Sequence, residues 1–155
     1  IYAVNTKNYP ELYRLLRNGH DINFITKDDK GAMDIAIQNL DLDMICFLMK
    51  NGAELRNSHL ILAIMLRSKD IVKLFLDNGI NPNCTDESLT PLYCAIISCD
   101  SEMIELLVHY GADLSVKVLG EDTALDAAIQ MRDARTIKTI SDIMDGNKGI
   151  VKNII

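Results

Sequence analysis

The chain has 155 residues, of which 48% are hydrophobic and 25% charged, with a formal net charge of -6 and a pI near 5.0. This is enough apolar material for one folded domain and too little polarity for wholesale disorder. The acidic balance argues against a nucleic-acid partner, because phosphate binding requires clustered Lys and Arg, and no apolar run approaches the roughly 18 residues that cross a bilayer. We therefore expect a soluble protein whose partner is another protein.

The first predicted unit ends in the string NGHDIN, and its Gly19 lies 16 residues after Ala3. Pro10 stands near the start of the second helix of this unit, where proline is tolerated, and this suits an N-terminal position. Because the chain opens on Ile1 without a methionine, we expect it to be part of a longer protein.

The second and third units repeat the same spacing, 16 residues from Ala36 to Gly52 and again from Ala63 to Gly79. The distance from each glycine to the next alanine varies: it is 17 residues from Gly19 to Ala36 and only 11 from Gly52 to Ala63. This difference predicts a shortened connection at residues 54–58.

The fourth unit is the clearest. Thr90 is a good N-cap and Pro91 follows at the first helical position, where its missing N–H costs nothing. Ala95 is small enough for close helix approach, and Asp100 and Ser101 end the first helix and cap a second one at about residues 102–109. Gly111, 16 residues after Ala95, supplies the left-handed conformation that terminates it.

The fifth unit begins with TALDAA at residues 123–128, but Met144 stands where the glycine is expected. The predicted second helix, at about residues 136–144, is more polar than its counterparts, which is typical of a C-terminal cap. The closing GIVKNII from Gly149 is too apolar for a finished edge. Either it folds back on the last helix pair or it begins another unit.

The period near 33 residues resembles that of the ankyrin repeat, whose signatures are T-P-L-H-x-A and N-G-A-D-x-N. TPLYCA carries the first signature, with Tyr93 in the histidine position, and YGADLS carries the second. The resemblance implies an all-α solenoid of about five helix-turn-helix repeats with short β-hairpin fingers, one of them shortened. It forms a single domain over residues 1–155, and its repeats occupy approximately 1–22, 23–55, 56–82, 83–114 and 115–155.

One departure from the family pattern concerns the turn between the two helices of each repeat. The family has a glycine there, and this chain has a larger residue in all five units. We expect these positions to require strained or rearranged turns. They are Lys7, Leu40, Arg67, Cys99 and Arg132.

No motif indicates catalysis, so we expect neither an enzyme nor a bound cofactor or metal. His20, His59 and His109 occupy unrelated repeat contexts, and the four cysteines form no zinc-ligand spacing and no nucleophile pattern. Phosphate-binding glycine motifs are absent from the sequence. The cysteine pattern favours reduced thiols in a cytoplasmic or nuclear protein.

The resemblance also implies contact positions, because the residues two and three places after the shared alanine point into the concave face of ankyrin arrays. Polar residues flank an apolar centre of Met65, Leu66 and Ile97, for which ordinary inter-repeat core is the open alternative. Leu89 and Leu119 are apolar residues at predicted fingertips and are added to the set. The predicted partner-binding residues are Gln38, Asn39, Met65, Leu66, Tyr93, Ile97, Ser98, Leu89, Leu119, Gln130 and Met131, while Asn5 and Thr6 hold the matching positions of the first unit.

These features predict a monomeric, non-enzymatic module that binds another protein through its concave helix face and fingertips. The alternative is the substrate-recruiting part of a larger enzyme or ubiquitin-ligase adaptor. The Ile-, Asn- and Asp-rich style resembles the divergent ankyrin repeats of poxviral host-range proteins, which would place the protein in host cytoplasm. Protists and intracellular bacteria use similar sequences.

Overall fold

The computed structural model describes residues 1–28, 30–115 and 122–152, with side chains as far as Gly146. Over these residues the chain is all-α, as predicted. It divides into two compact units, residues 1–75 and 76–155, which are described separately. The helices are α1 (Tyr2–Asn5), α2 (Tyr9–Arg17), α3 (Ala32–Gln38), α4 (Leu42–Lys50), α5 (Asn57–Met65), α6 (Lys69–Asp77), α7 (Pro91–Ile97), α8 (Ser101–His109), α9 (Ala124–Met131) and α10 (Ala134–Lys152).

Several helices begin at a polar side chain that caps them, among them α4, α7 and α8. The Thr90 hydroxyl accepts a hydrogen bond from the Tyr93 N–H at 3.1 Å, which confirms the predicted start of α7. The side chains of Asp41 and Asp100 accept from the third residue beyond them, at 3.1 and 3.0 Å, at the starts of α4 and α8. Each cap satisfies one of the N–H groups that a helix leaves open at its first turn.

The core of unit 1 lies between the helix pairs. Ala36 and Ala63 are fully buried where α3 and α5 pack side by side. Met44 and Ile45 of α4 are also completely buried. The rings of Tyr9 and Tyr13 of α2 meet the edge or face of the α4 residue Phe47, with centroids 5.2 and 4.9 Å apart. The apolar second helices are therefore covered, as their composition requires.

The core of unit 2 has the same construction. Ala95 and Ala128 are completely buried where α7 packs against α9. Met103 and Ile104 of α8, and Ile140 of α10, are equally buried. Small residues at the contact between first helices and branched residues on the second helices thus occupy the same places in both units.

The inter-helix turns contain the left-handed residues that the missing glycines predicted. The five positive φ angles lie between 51° and 56°, and each residue has a side chain that disfavours this conformation. At Leu40 the turn is closed by an N–H bond to the carbonyl of Ile37 at 2.9 Å, followed by one from Asp41 to Ala36 at 3.0 Å. The residues are Lys7, Leu40, Arg67, Cys99 and Arg132.

The connections between repeats confirm the shortened loop. Fourteen residues separate α2 from α3 (18–31) and thirteen separate α6 from α7 (78–90), whereas only six separate α4 from α5 (51–56). The expected β-hairpin fingers are not confirmed: the described parts of these loops are turns without extended strands. The 78–90 loop contains an isolated antiparallel bridge between Asp86 and Leu89.

The last helix is longer than predicted. We expected it to end near Met144, but α10 begins at Ala134 and runs through Lys152, with Gly146 and Gly149 inside it. Each internal glycine costs about 1 kcal/mol relative to alanine but keeps its N–H, so it does not break a helix as proline does. The first four residues of the GIVKNII segment continue this helix, and the last three lie outside the described residues.

Candidate functional site

The first-helix ends of unit 1 present a row of exposed side chains, called here the unit 1 row: Gln38 and Asn39 at the end of α3, and Met65 and Leu66 at the end of α5. Met65 is 59% exposed and Leu66 38%, so the alternative interpretation of these two as core residues is wrong. Both amide residues are exposed, and the Asn39 side chain lies 3.4 Å from the side-chain oxygen of Asn5. The row therefore combines two apolar groups with two amides.

The matching positions of unit 2 form the unit 2 row: Ile97 and Ser98 at the end of α7, and Gln130 and Met131 at the end of α9. Ile97 is 38% exposed and Met131 43%, while Ser98 is half-buried. The Gln130 amide donates to the Asp122 carboxylate at 2.7 Å. Tyr93, one turn before Ile97, is half-buried. The structure thus brings the predicted residues of each unit to a common repeat position.

Of the two predicted fingertip residues, Leu89 and Leu119, the structure describes only Leu89. Leu89 is half-buried, and its backbone exchanges two hydrogen bonds with Asp86, at 2.8 and 3.0 Å. Glu87 and Ser88 between them have φ angles of 45° and 72°, so the turn is tight. Leu119 lies outside the described residues, as do the loop acids Asp29 and Glu121.

Asparagines that link successive loops were missed by the sequence analysis. In unit 1 the Asn23 amide donates to the Gly52 carbonyl at 3.4 Å and accepts from the Glu54 N–H at 2.9 Å. In unit 2 the Asn83 amide likewise donates to the Gly111 carbonyl and accepts from the Asp113 N–H, each at 2.9 Å. Both asparagines stand four residues after a repeat glycine, which is the signal that could have identified them.

At the shortened loop this position is Arg56, and a different network replaces the asparagine bridge. The Arg56 guanidinium contacts Asp34 at 2.9 Å, and the same carboxylate accepts from the Gly31 N–H at 2.8 Å. His59 is 2% exposed, and its Nδ1 accepts from the Arg56 backbone N–H at 3.1 Å. Its Nε2 lies 3.1 and 3.2 Å from two nitrogens of the Arg56 guanidinium and 3.4 Å from the Asp34 carboxylate.

This arrangement gives His59 a structural role, holding the start of α5 against the 18–31 loop. One ring nitrogen accepts from a backbone N–H, and the other contacts the Arg56 guanidinium and the Asp34 carboxylate, so both are engaged within the protein. The sequence signal was a histidine two residues into a helix that follows an unusually short connection.

The titrating groups also indicate structural roles. Burial raises the pKa of the Cys94 thiol to about 11 and raises that of Cys84, so both remain protonated and weakly nucleophilic at neutral pH. Burial acts to raise the pKa of Asp41, but hydrogen bonds from Lys7, at 2.8 Å, and from the Met44 N–H outweigh it and lower the pKa.

The described residues contain neither a helix that could cross a membrane nor a cluster that could bind a metal. No helix in residues 1–28, 30–115 or 122–152 is both long and apolar enough to cross a bilayer. Within the same ranges, His, Cys, Asp and Glu side chains form no group of three or more that could hold a metal ion.

Comparison with known proteins gives one family throughout. The family model described as "Ankyrin repeats (3 copies)" matches residues 1–86, 33–118 and 60–149. The chain is 25% identical to the ankyrin repeat protein FPV115 of fowlpox virus (strain NVSL) over 99% of its own length, and 29% identical to the ankyrin repeat protein L371 of Acanthamoeba polyphaga mimivirus over 72%. An ankyrin repeat protein of Borreliella burgdorferi is 29% identical over 90% of the chain and 70% of its own length.

The chain spans only 34% of the fowlpox protein and 16% of the mimivirus protein. Viral and bacterial relatives both match, so the similarity identifies a repeat family and not a source. Ankyrin repeats are a protein–protein interaction fold without catalytic chemistry of their own. With its constant alanine-to-glycine spacing, paired helices and matching family model, the chain belongs to the ankyrin repeat family.

Proposed function

We propose that this chain is a non-enzymatic protein-interaction module, and that the unit 1 row, the unit 2 row and the loop residue Leu89 contact the partner. The observation that supports this most strongly is the exposure of apolar side chains at one repeat position. Met65 and Ile97 are 59% and 38% exposed, although the alanine two residues before each is completely buried.

Exposure at this position has an energetic consequence. Each helix is anchored by its buried face, so its exposed end is held rigidly and loses little conformational freedom on binding. Removing apolar surface from water yields roughly 25 cal/mol per Å², and apolar residues surrounded by amides provide both this gain and hydrogen-bonding groups that fix orientation. The rows therefore have the composition of a binding surface.

A paired substitution in unit 1 tests the proposal. Met65→Asp combined with Leu66→Asp places two charges in the unit 1 row, and the control Leu42→Asp places one at a helix start with a similar exposure of 36%. Affinity capture from host-cell lysate with quantitative mass spectrometry should show partners that the control retains and the row variant loses. Equal capture by both variants, with unchanged circular dichroism, would refute the proposed surface.

A second function is supported by the length of the relatives. The match to the fowlpox protein covers 99% of this chain but only 34% of the fowlpox protein, so the chain corresponds to one part of that larger protein. It would then be the substrate-recruiting domain of a larger enzyme or ubiquitin-ligase adaptor, acting in a viral case as a host-range factor in host cytoplasm. Sequencing the complete reading frame tests this, because a frame without an effector region would contradict it.

A further inference from the structure

Resting on the proposed function, we propose that the unit 2 row takes a basic peptide segment that carries apolar side chains. The partner's chemistry follows from two features of unit 2: exposed apolar side chains on the first helices and an excess of acidic residues around them.

The exposed apolar side chains of the row lie on two helices in direct contact, α7 and α9. Ile97 is 38% exposed and Met131 43%, and Tyr93 is half-buried one turn before Ile97. The two helices are held in place by the completely buried Ala95 and Ala128. Since apolar groups supply most of the gain on association, these side chains are the anchors of the surface.

The charges around this face are mostly negative. Residues 84–99 and 122–132, which comprise α7, α9, the turn residue after each and the nearest described loop residues before them, contain Asp86, Glu87, Asp122 and Asp126, and Arg132 is the one basic residue among them. Asp122 reaches the row directly through its 2.7 Å bond with Gln130. Asp126 is exposed, and its hydrogen bonds from Thr123 lower its pKa, so it is ionised at neutral pH.

Unit 1 differs at the equivalent positions. Its loop before α3 carries Lys27 and Lys30 beside Asp28 and Asp29, and Arg56 precedes α5. The excess of acidic residues is therefore a property of unit 2 and not of the repeat. A cationic partner would be attracted to unit 2, whereas nucleic-acid phosphates and acidic peptides would be repelled.

The acidic charges and the exposed apolar side chains contribute differently to peptide binding. Exposed ion pairs are each worth less than about 1 kcal/mol and are screened by salt. They therefore select the partner and speed its approach, while contacts with Ile97 and Met131 supply the affinity. A short segment with alternating basic and apolar residues can satisfy both kinds of contact at once.

The test begins with a phage-displayed random peptide library panned against the whole chain at low salt. We expect the enriched peptides to be basic and to contain Leu, Ile, Met or aromatic residues. One such peptide, made with a fluorescent label, should lose affinity as salt is raised. When Glu87→Lys and Asp122→Lys are combined, the Kd of this peptide should rise about tenfold, which corresponds to a loss of about 1.4 kcal/mol of binding free energy.

The matched control is Asp28→Lys, the same charge reversal on a loop of unit 1, and it should leave the affinity unchanged. Enrichment of neutral or acidic peptides, no enrichment, or an equal loss with Asp28→Lys would overturn the inference. These failures are separate from failure of the proposed function. If Met65→Asp with Leu66→Asp still abolishes capture of a protein partner, the chain is an interaction module whose partner is not a basic segment.

Discussion

Replacing Cys99 with glycine should stabilise the protein. Cys99 is exposed, has a φ of 51°, and closes the turn between α7 and α8 with an N–H bond to the Ile96 carbonyl at 2.9 Å. A left-handed conformation costs a residue with a side chain about 1–2 kcal/mol. Glycine removes that cost but loses about 0.5–1 kcal/mol more backbone entropy on folding, so we expect a net gain of about 0.5–1 kcal/mol for Cys99→Gly.

Two further variants separate backbone strain from loss of the thiol. Cys99→Ala removes the sulfur but keeps the Cβ, so its stability should stay close to that of the parent. Gly111→Ala is the converse change: Gly111 has a φ of 93°, and no atom lies within 4 Å of an added Cβ. Its cost is therefore conformational alone, and we expect a loss of about 1–2 kcal/mol.

Urea unfolding followed by far-ultraviolet circular dichroism measures all three variants, and thermal unfolding provides a second readout. For a chain of this size, 1 kcal/mol shifts the Tm by roughly 2–4 °C. If Cys99→Gly is no more stable than Cys99→Ala, or if Gly111→Ala is neutral, the conformational costs assigned to these turns are wrong.

Three other substitutions test the structural networks by urea unfolding. Asp34→Ala removes the carboxylate that accepts from Arg56 and from the Gly31 N–H and should cost about 2–3 kcal/mol; a loss under about 0.5 kcal/mol would mean that the network does not hold the short loop. Asn83→Ala removes two hydrogen bonds between loops and should cost about 1–2 kcal/mol, with faster amide exchange in both loops. Asp41→Asn keeps a good N-cap but removes a carboxylate whose folded pKa is lowered. That carboxylate stabilises the fold above its ordinary pKa of about 4 and ceases to do so as pH falls through the lower folded value. The variant should therefore be less stable at about pH 7 but match the parent near pH 2, and a deficit independent of pH would contradict this reasoning.

The sequence predicted those parts of the fold that place a steric demand on a single position. The repeat glycines have φ angles of 80° to 93°, which only glycine adopts readily. Ala36, Ala63 and Ala95 are completely buried where a larger side chain would hold neighbouring helices apart. Such demands recur at fixed spacing, so the two residue types together located the helix pairs and the short connection after Gly52.

Other features depend on residues that are distant in the chain. Asp34 and Arg56 are 22 positions apart, and Asn23 and Glu54 are 31 apart, so their hydrogen bonds depend on the packing of successive repeats. The exposure of Met65 could not be read from its type, because the same side chain suits a core or a contact surface. The end of α10 was missed because a helix can continue through glycine when nothing else terminates it.

Photo-crosslinking tests the central claim most directly. A photoreactive amino acid placed at Met65 or Ile97 lies in the exposed rows, and the same group at Leu42 lies at the start of a second helix with an exposure of 36%. If the rows bind the partner, irradiation in host-cell lysate should attach the same protein at Met65 and at Ile97 but not at Leu42. Equal attachment at Leu42, or no attachment at either row, would contradict the account.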